Sequence, residues 1–93
     1  MTLDEKEYKQ MLQDAITKWG MPTQRLIWIE ECAEFIQRLA KVDRNINSSF
    51  REQVAEELAD VDICLDQAKE QYPEYLEHKK RKIARLKRLV YQT

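Results

Sequence analysis

Two groups of acidic residues in this 93-residue chain have spacing that could hold a metal ion: Glu30, Glu31 and Glu34, then Glu56, Glu57 and Asp60. Residues three apart share a helix face, so Glu31 falls beside Glu34 and Glu57 beside Asp60. Like charges so placed destabilise an exposed helix by roughly 0.2–0.5 kcal/mol per pair. Both triplets also border apolar positions. Glu30 follows Ile29, Glu34 follows Ala33, and Glu57 and Asp60 precede Leu58 and Val61. Two helices packed antiparallel through those stripes would bring four carboxylates to one seam. Without a cation that crowding raises carboxyl pKa values, through repulsion and lost hydration. A hard divalent ion relieves it. Mg2+ takes oxygen ligands at about 2.0–2.1 Å in near-octahedral geometry and keeps waters, leaving room for phosphate oxygens. Zinc fits less well, because His78 is the sole histidine and Cys32 and Cys64 form no ligand-spaced pair.

Helices must position these groups, and the remaining pattern supplies them. Thr2 and Glu5 match a capping box that opens a first helix. Apolar residues then recur at helical spacing: Leu3, Tyr8, Met11, Leu12, Ala15, Ile16 and Trp19. Gly20 and Pro22 end that run. Thr23 is the expected N-cap of a second helix, with Leu26, Ile29, Ala33, Ile36, Leu39 and Ala40 as its apolar stripe. The polar stretch 43–48 reads as a loop. Ser49 and Glu52 open a third helix with Phe50, Val54, Leu58, Val61, Leu65 and Ala68 on one side. Tyr72-Pro73 stops it, since the residue before proline avoids the helical region. A last helix is expected from about Glu74 to Tyr91, with Leu76, Ile83, Leu86 and Val90 inward. Alternation at period two is absent, so strands are not expected. The fold class is all-α: an antiparallel four-helix bundle forming a single domain over 1–93.

Composition narrows the classes further. Charged residues make up 35% of the chain and glycine occurs once, which favours helix over sheet and loop. A core this small is marginal alone, so self-association is expected. No stretch approaches the roughly 20 apolar residues of a membrane span, and the acidic start lacks the features of a signal peptide. Two isolated cysteines build no disulfide framework, and both read as buried thiols, so a cytoplasmic setting is expected. The net charge of −1 conceals a division: residues 79–93 carry seven Lys/Arg and no acid, leaving nine basic and seventeen acidic residues before them. Such a chain could gather a cation at one place and a polyanion at another. A solvated helix face would explain the same charges.

Glu30-Glu31-Cys32-Ala33-Glu34, 22 intervening residues, and Glu57-Leu58-Ala59-Asp60 resemble the EExxE…ExxD pattern of the MazG-like all-α nucleoside triphosphate pyrophosphohydrolases. The Trp19-Gly20 turn, the Glu-Leu-Ala-Asp run and Lys82-Ile83-Ala84-Arg85-Leu86 are similar too, so the resemblance spans roughly residues 15–90. It implies Mg2+-dependent hydrolysis of (deoxy)nucleoside triphosphates to the monophosphate and pyrophosphate, with Mn2+ as a substitute ion, in nucleotide-pool house-cleaning. Carried over, the metal ligands are Glu31, Glu34, Glu57 and Asp60. Glu30 and Glu56 are candidates for orienting or deprotonating the attacking water, although each points about 100° from its neighbouring ligand. Lys79, Lys82 and Arg85 share a face of the last helix and are candidates for holding pyrophosphate. Trp28, three residues before Glu31, could stack on the base, with Trp19 as a second candidate. The resemblance also implies a homodimer or tetramer that completes the bundle.

Two other classes compete. A non-enzymatic helical interaction or regulatory module accounts for the amphipathic helices and the divided charge, but not for matched acidic triplets beside apolar stripes. Nucleic-acid binding through 79–88 is a poor fit, because the basic run adjoins an acidic body and no DNA-reading motif is present.

Overall fold

The computed structural model describes residues 4–42 and 48–92. Those residues form four helices and no strand: α1 (Glu5–Trp19), α2 (Met21–Val42), α3 (Ser48–Gln71) and α4 (Tyr75–Tyr91). None is long and apolar enough to cross a membrane.

The helix ends differ from expectation where capping chemistry had more than one solution. Asp4 caps α1, its Oδ1 accepting the Lys6 backbone N–H at 2.9 Å. Asp serves there as well as Thr does, and Thr2 lies outside the described residues. Gly20 ends α1 and begins α2 in a single residue. Its N–H donates to the Ile16 carbonyl at 2.8 Å, and its own carbonyl accepts from Gln24 at 3.2 Å. The φ of 86° at this point favours glycine. Thr23 therefore sits inside the first turn of α2 and does not cap it. Pro22 shares that turn, where a missing N–H costs no helical bond. Most of the loop expected over 43–48 lies outside the described residues. Ser48, expected as the loop's last residue, is instead the first of α3, which places Ser49 within the helix. Tyr72 and Pro73 end α3 as the sequence predicts.

α1, α2 and α3 pack on one another. Along α2 the partners descend α3: Trp28 meets Gln67 and Arg38 meets Gln53. Among the described residues the buried ones are few and mixed, namely Leu12, Val61 and Cys64 with Gln24 and Gln67. Gln67 is the hub of this centre. Its Nε2 donates to the Leu12 carbonyl and to Gln24 Oε1, both at 3.0 Å, and its Oε1 accepts from Trp28 Nε1 at 2.7 Å. One carboxamide thus ties all three helices together, and its bonding fixes which way the amide points. A second tie runs from the Tyr8 hydroxyl to Asp66 Oδ2 at 2.8 Å.

The apolar stripe expected to face inward on α2 faces outward. Ile29 and Ile36 are each 64% exposed, and Leu26, Ala33, Leu39 and Ala40 are exposed with them. The packed face instead carries Gln24, Trp28, Glu31, Cys32, Phe35 and Arg38. This helix has two apolar sides about 100° apart, and the hydrogen bonds to Gln67 select the one holding Trp28. On α3, Phe50, Val54, Val61 and Ala68 do turn inward, but Leu58 and Leu65 do not. Met11 and Trp19 of α1 are also exposed.

α4 departs most from expectation. Every residue from Leu76 to Gln92 is exposed, including Leu76, Ile83, Leu86 and Val90. Its start is held by half-buried Tyr75, whose ring lies 5.6 Å from the Lys69 ammonium.

Candidate metal centre

Glu31 sits at the middle of the packed face of α2, one turn on from Trp28, and Glu57 lies one turn before Val61 on α3. The packing that buries Val61 therefore carries both carboxylates into the interface. One carboxylate oxygen from each of Glu31, Glu57 and Asp60 lies within 4.8 Å of the others. Glu31 and Glu57 are half-buried and Asp60 is exposed, so the cluster opens to solvent on one side. The Oε2 atoms of Glu31 and Glu57 are buried without a hydrogen-bond partner. Buried acceptors are normally satisfied, so these two atoms carry a desolvation cost that no hydrogen bond among the described residues offsets.

The electrostatics agree. Loss of hydration pushes the Glu31 carboxyl above its ordinary range, and the charges of Asp60, Glu34 and Glu57 push it further. Lost hydration also raises Glu57, with Glu34 and Asp60 adding to the shift and Arg38 opposing it. Burial, and then the Glu31 charge, lifts the Cys64 thiol to about 11, so it remains protonated at neutral pH. The converging donors are all carboxylate oxygens, the set preferred by Mg2+, Mn2+ or Ca2+.

Of the four acids expected to act as ligands, Glu31, Glu57 and Asp60 converge. Glu34 is exposed and borders a groove beside Glu57. They meet for a different reason from the one read off the sequence. Glu31 and Glu57 lie in the contact itself with Asp60 exposed at its edge, and the apolar stripe of α2 points away. Glu30 and Glu56 are exposed and outside the converging set. Trp28 is half-buried, with its indole N–H committed to Gln67. Trp19 is exposed, with the Lys18 ammonium 5.1 Å from its ring. Lys79 and Lys82 line a groove with Leu65, Tyr75 and Ile83, and Arg85 borders a separate shallow one on α4. Neither groove includes a member of the acidic cluster.

Sequence reasoning passed over Arg38 and Lys41, which lie beside the cluster, and the Gln24–Gln67 pair beneath it. For Arg38 a signal existed, since it follows Glu34 by four residues and so shares its face. The glutamines gave none, because polar residues are assigned to the surface by default.

No protein-family model, curated protein or solved structure matches the chain.

Proposed function

We propose that the chain is a Mg2+-dependent nucleoside triphosphate pyrophosphohydrolase of the MazG-like kind, acting on the bond between the α and β phosphorus atoms. The observation carrying this reading is the convergence of Glu31, Glu57 and Asp60 from two helices, with two of their oxygens buried and unsatisfied. The match of the two acidic triplets to the EExxE…ExxD pattern supports it independently. Glu31, Glu57 and Asp60 would hold the ion, with Glu34 as a fourth carboxylate at the open edge. A bound Mg2+ supplies charge neutralisation on the phosphate oxygens and lowers the pKa of a water it holds. The half-buried position of Glu31 and Glu57 strengthens their attraction for a cation relative to exposed acids. Asp60, exposed, faces the side from which a phosphate chain can approach. A nucleotide panel assayed with Mg2+ and scored for pyrophosphate against orthophosphate tests the reaction class. Pyrophosphate with monophosphate is the expected product pair, and orthophosphate with diphosphate would reject the assignment.

The same reading includes a second copy of the chain, packed to complete an antiparallel bundle. A folded monomer of 11.2 kDa should expose about 5,700 Å2. This chain exposes 8131 Å2. The surplus, roughly 2,400 Å2, is of the size that obligate partners remove from each other. It falls on apolar residues of α2, α3 and α4, among them Ile29, Ile36, Leu58 and Ile83. Sedimentation is expected to give a dimer or tetramer for the natural chain. Ile36→Glu should shift it toward monomer by placing a charge on the outward side of α2. A natural chain sedimenting as a monomer at micromolar concentration would exclude the self-associated form.

Those exposed apolar faces also favour the second reading, a non-enzymatic module whose α2 and α4 dock on another protein. Calorimetry with Mg2+ or Mn2+ separates the two, because a docking module has no reason to bind either ion saturably.

A further inference from the structure

Beside the acidic cluster, between α2 and α3, lies a groove of about 290 Å3 lined by Glu34, Gln37, Arg38, Lys41 and Glu57. It shares Glu34 and Glu57 with the surroundings of the cluster and adds two cations one turn apart. Arg38 is half-buried, and its Nη1 donates to Gln53 Oε1 at 2.9 Å, which holds the guanidinium in place across the helix pair. Among the described residues, neither Arg38 nor Lys41 closes an ion pair with Glu34 or Glu57. Two positive side chains thus stand beside two acids without a direct ion pair to either.

We infer that Arg38 and Lys41 form the polyphosphate-binding end of the site, and that they take this role in place of the α4 cations. This rests on the metal reading above and names the residues that would hold the far phosphates. The charge arithmetic of the groove supports it. Two acids and two bases leave the lining neutral, and a divalent ion in the adjacent cluster cancels the two further acids there, Glu31 and Asp60, so that the two cations are no longer outweighed. A phosphate chain held at one end by that ion would then meet a forked donor in Arg38 and a point charge in Lys41. Gln37 offers a neutral amide donor in the same groove. The volume sits at the lower end of small-molecule sites, roughly 300–1,000 Å3, which suits phosphate groups more than a whole nucleotide. Lys79, Lys82 and Arg85 line grooves that share no residue with this one.

The test is binding of inorganic pyrophosphate in excess Mg2+, followed by calorimetry, with Mn2+ affinity measured separately by electron paramagnetic resonance. Arg38→Gln and Lys41→Gln are each expected to weaken pyrophosphate binding by about tenfold or more, the scale of one charge-assisted hydrogen bond. Mn2+ affinity in both variants should hold or rise, since a nearby positive charge is removed. The double variant Lys82→Gln/Arg85→Gln should bind pyrophosphate as the natural chain does. Lys41 is exposed, so its replacement puts the fold at little risk should Arg38→Gln unfold. Unchanged pyrophosphate affinity in Lys41→Gln and in folded Arg38→Gln, with Mn2+ still bound, would overturn the inference and leave the metal reading standing. Loss confined to the α4 double variant would overturn it too. A natural chain that binds no Mn2+ would instead remove the metal reading beneath it.

Discussion

Under the function proposed above, Glu57→Gln is expected to lower turnover by at least about 100-fold. The same substitution should make the metal-free protein more resistant to heat. Both follow from one cause. The Glu57 carboxylate sits in the interface with an unsatisfied oxygen, beside Glu34 and Asp60, and its pKa is raised by lost hydration and then by those neighbours. Glu31 is raised in the same direction for the same reasons. A carboxyl whose folded pKa lies above its unfolded value binds its proton more tightly when folded. Its ionised form therefore opposes folding. That opposition is fully present above the folded pKa and fades as pH falls through it toward the ordinary glutamate range. The metal-free chain should accordingly melt at a higher temperature at pH 5 than at pH 7.5. Mg2+ should narrow that gap by stabilising the ionised cluster, an effect that grows with its concentration. Glu57→Gln keeps the shape, removes one charge, and should flatten the pH response while blunting the response to Mg2+. Melting curves at the two pH values, with and without Mg2+, measure all of this. A variant that melts lower than the natural chain without metal, or responds to Mg2+ in the same way, would show that the cluster is not under charge stress.

The second large effect is structural and lies at Gln67. Replacing it with alanine orphans the Trp28 indole N–H and Gln24 Oε1 at once, and removes a second donor from the Leu12 carbonyl, in a centre with little else buried. Each buried orphan costs about 1–3 kcal/mol before relaxation, so a net loss near 3 kcal/mol is expected. In a domain of this size, that is a fall in Tm of more than about 10 °C. Trp28→Phe breaks only one of the three bonds and should cost about 1 kcal/mol. Urea unfolding followed by circular dichroism gives both values. If Gln67→Ala costs no more than Trp28→Phe, the carboxamide is an incidental bystander and apolar contact alone sets the register. Because Gln67, Cys64 and Asp60 succeed one another by about one turn on α3, loss of the hub should also loosen the acidic cluster.

Some of this site was visible in the bare residues. The period of apolar residues located four helices, and the chain breaks at Gly20 and Tyr72-Pro73 fell where expected, because those signals act over a few residues of backbone. The pairing of Glu57 with Asp60 was also foreseeable, since i and i+3 spacing fixes a shared face within one helix. The facing direction of α2 was not. Its outward side, with Leu26, Ile29, Ala33, Ile36, Leu39 and Ala40, is the more apolar, so the local pattern points to the wrong face. The choice belongs to Gln67, 39 residues from Trp28. Arg38 carried a local signal in its i+4 spacing from Glu34, but its bond to Gln53 forms only across the helix pair.

Local sequence, then, determined that the chain is helical, where its helices turn, and which acids can stand together on one helix. Tertiary packing decided which side of α2 meets α3, that a glutamine occupies the centre, that α4 stands exposed, and which cations lie beside the carboxylates. The division has a physical origin. Backbone hydrogen bonding and capping depend on neighbours within about one turn of chain. Facing, burial and charge proximity depend on surfaces that come together only when distant helices do, and here buried hydrogen bonds accompany packing through the less apolar side of α2.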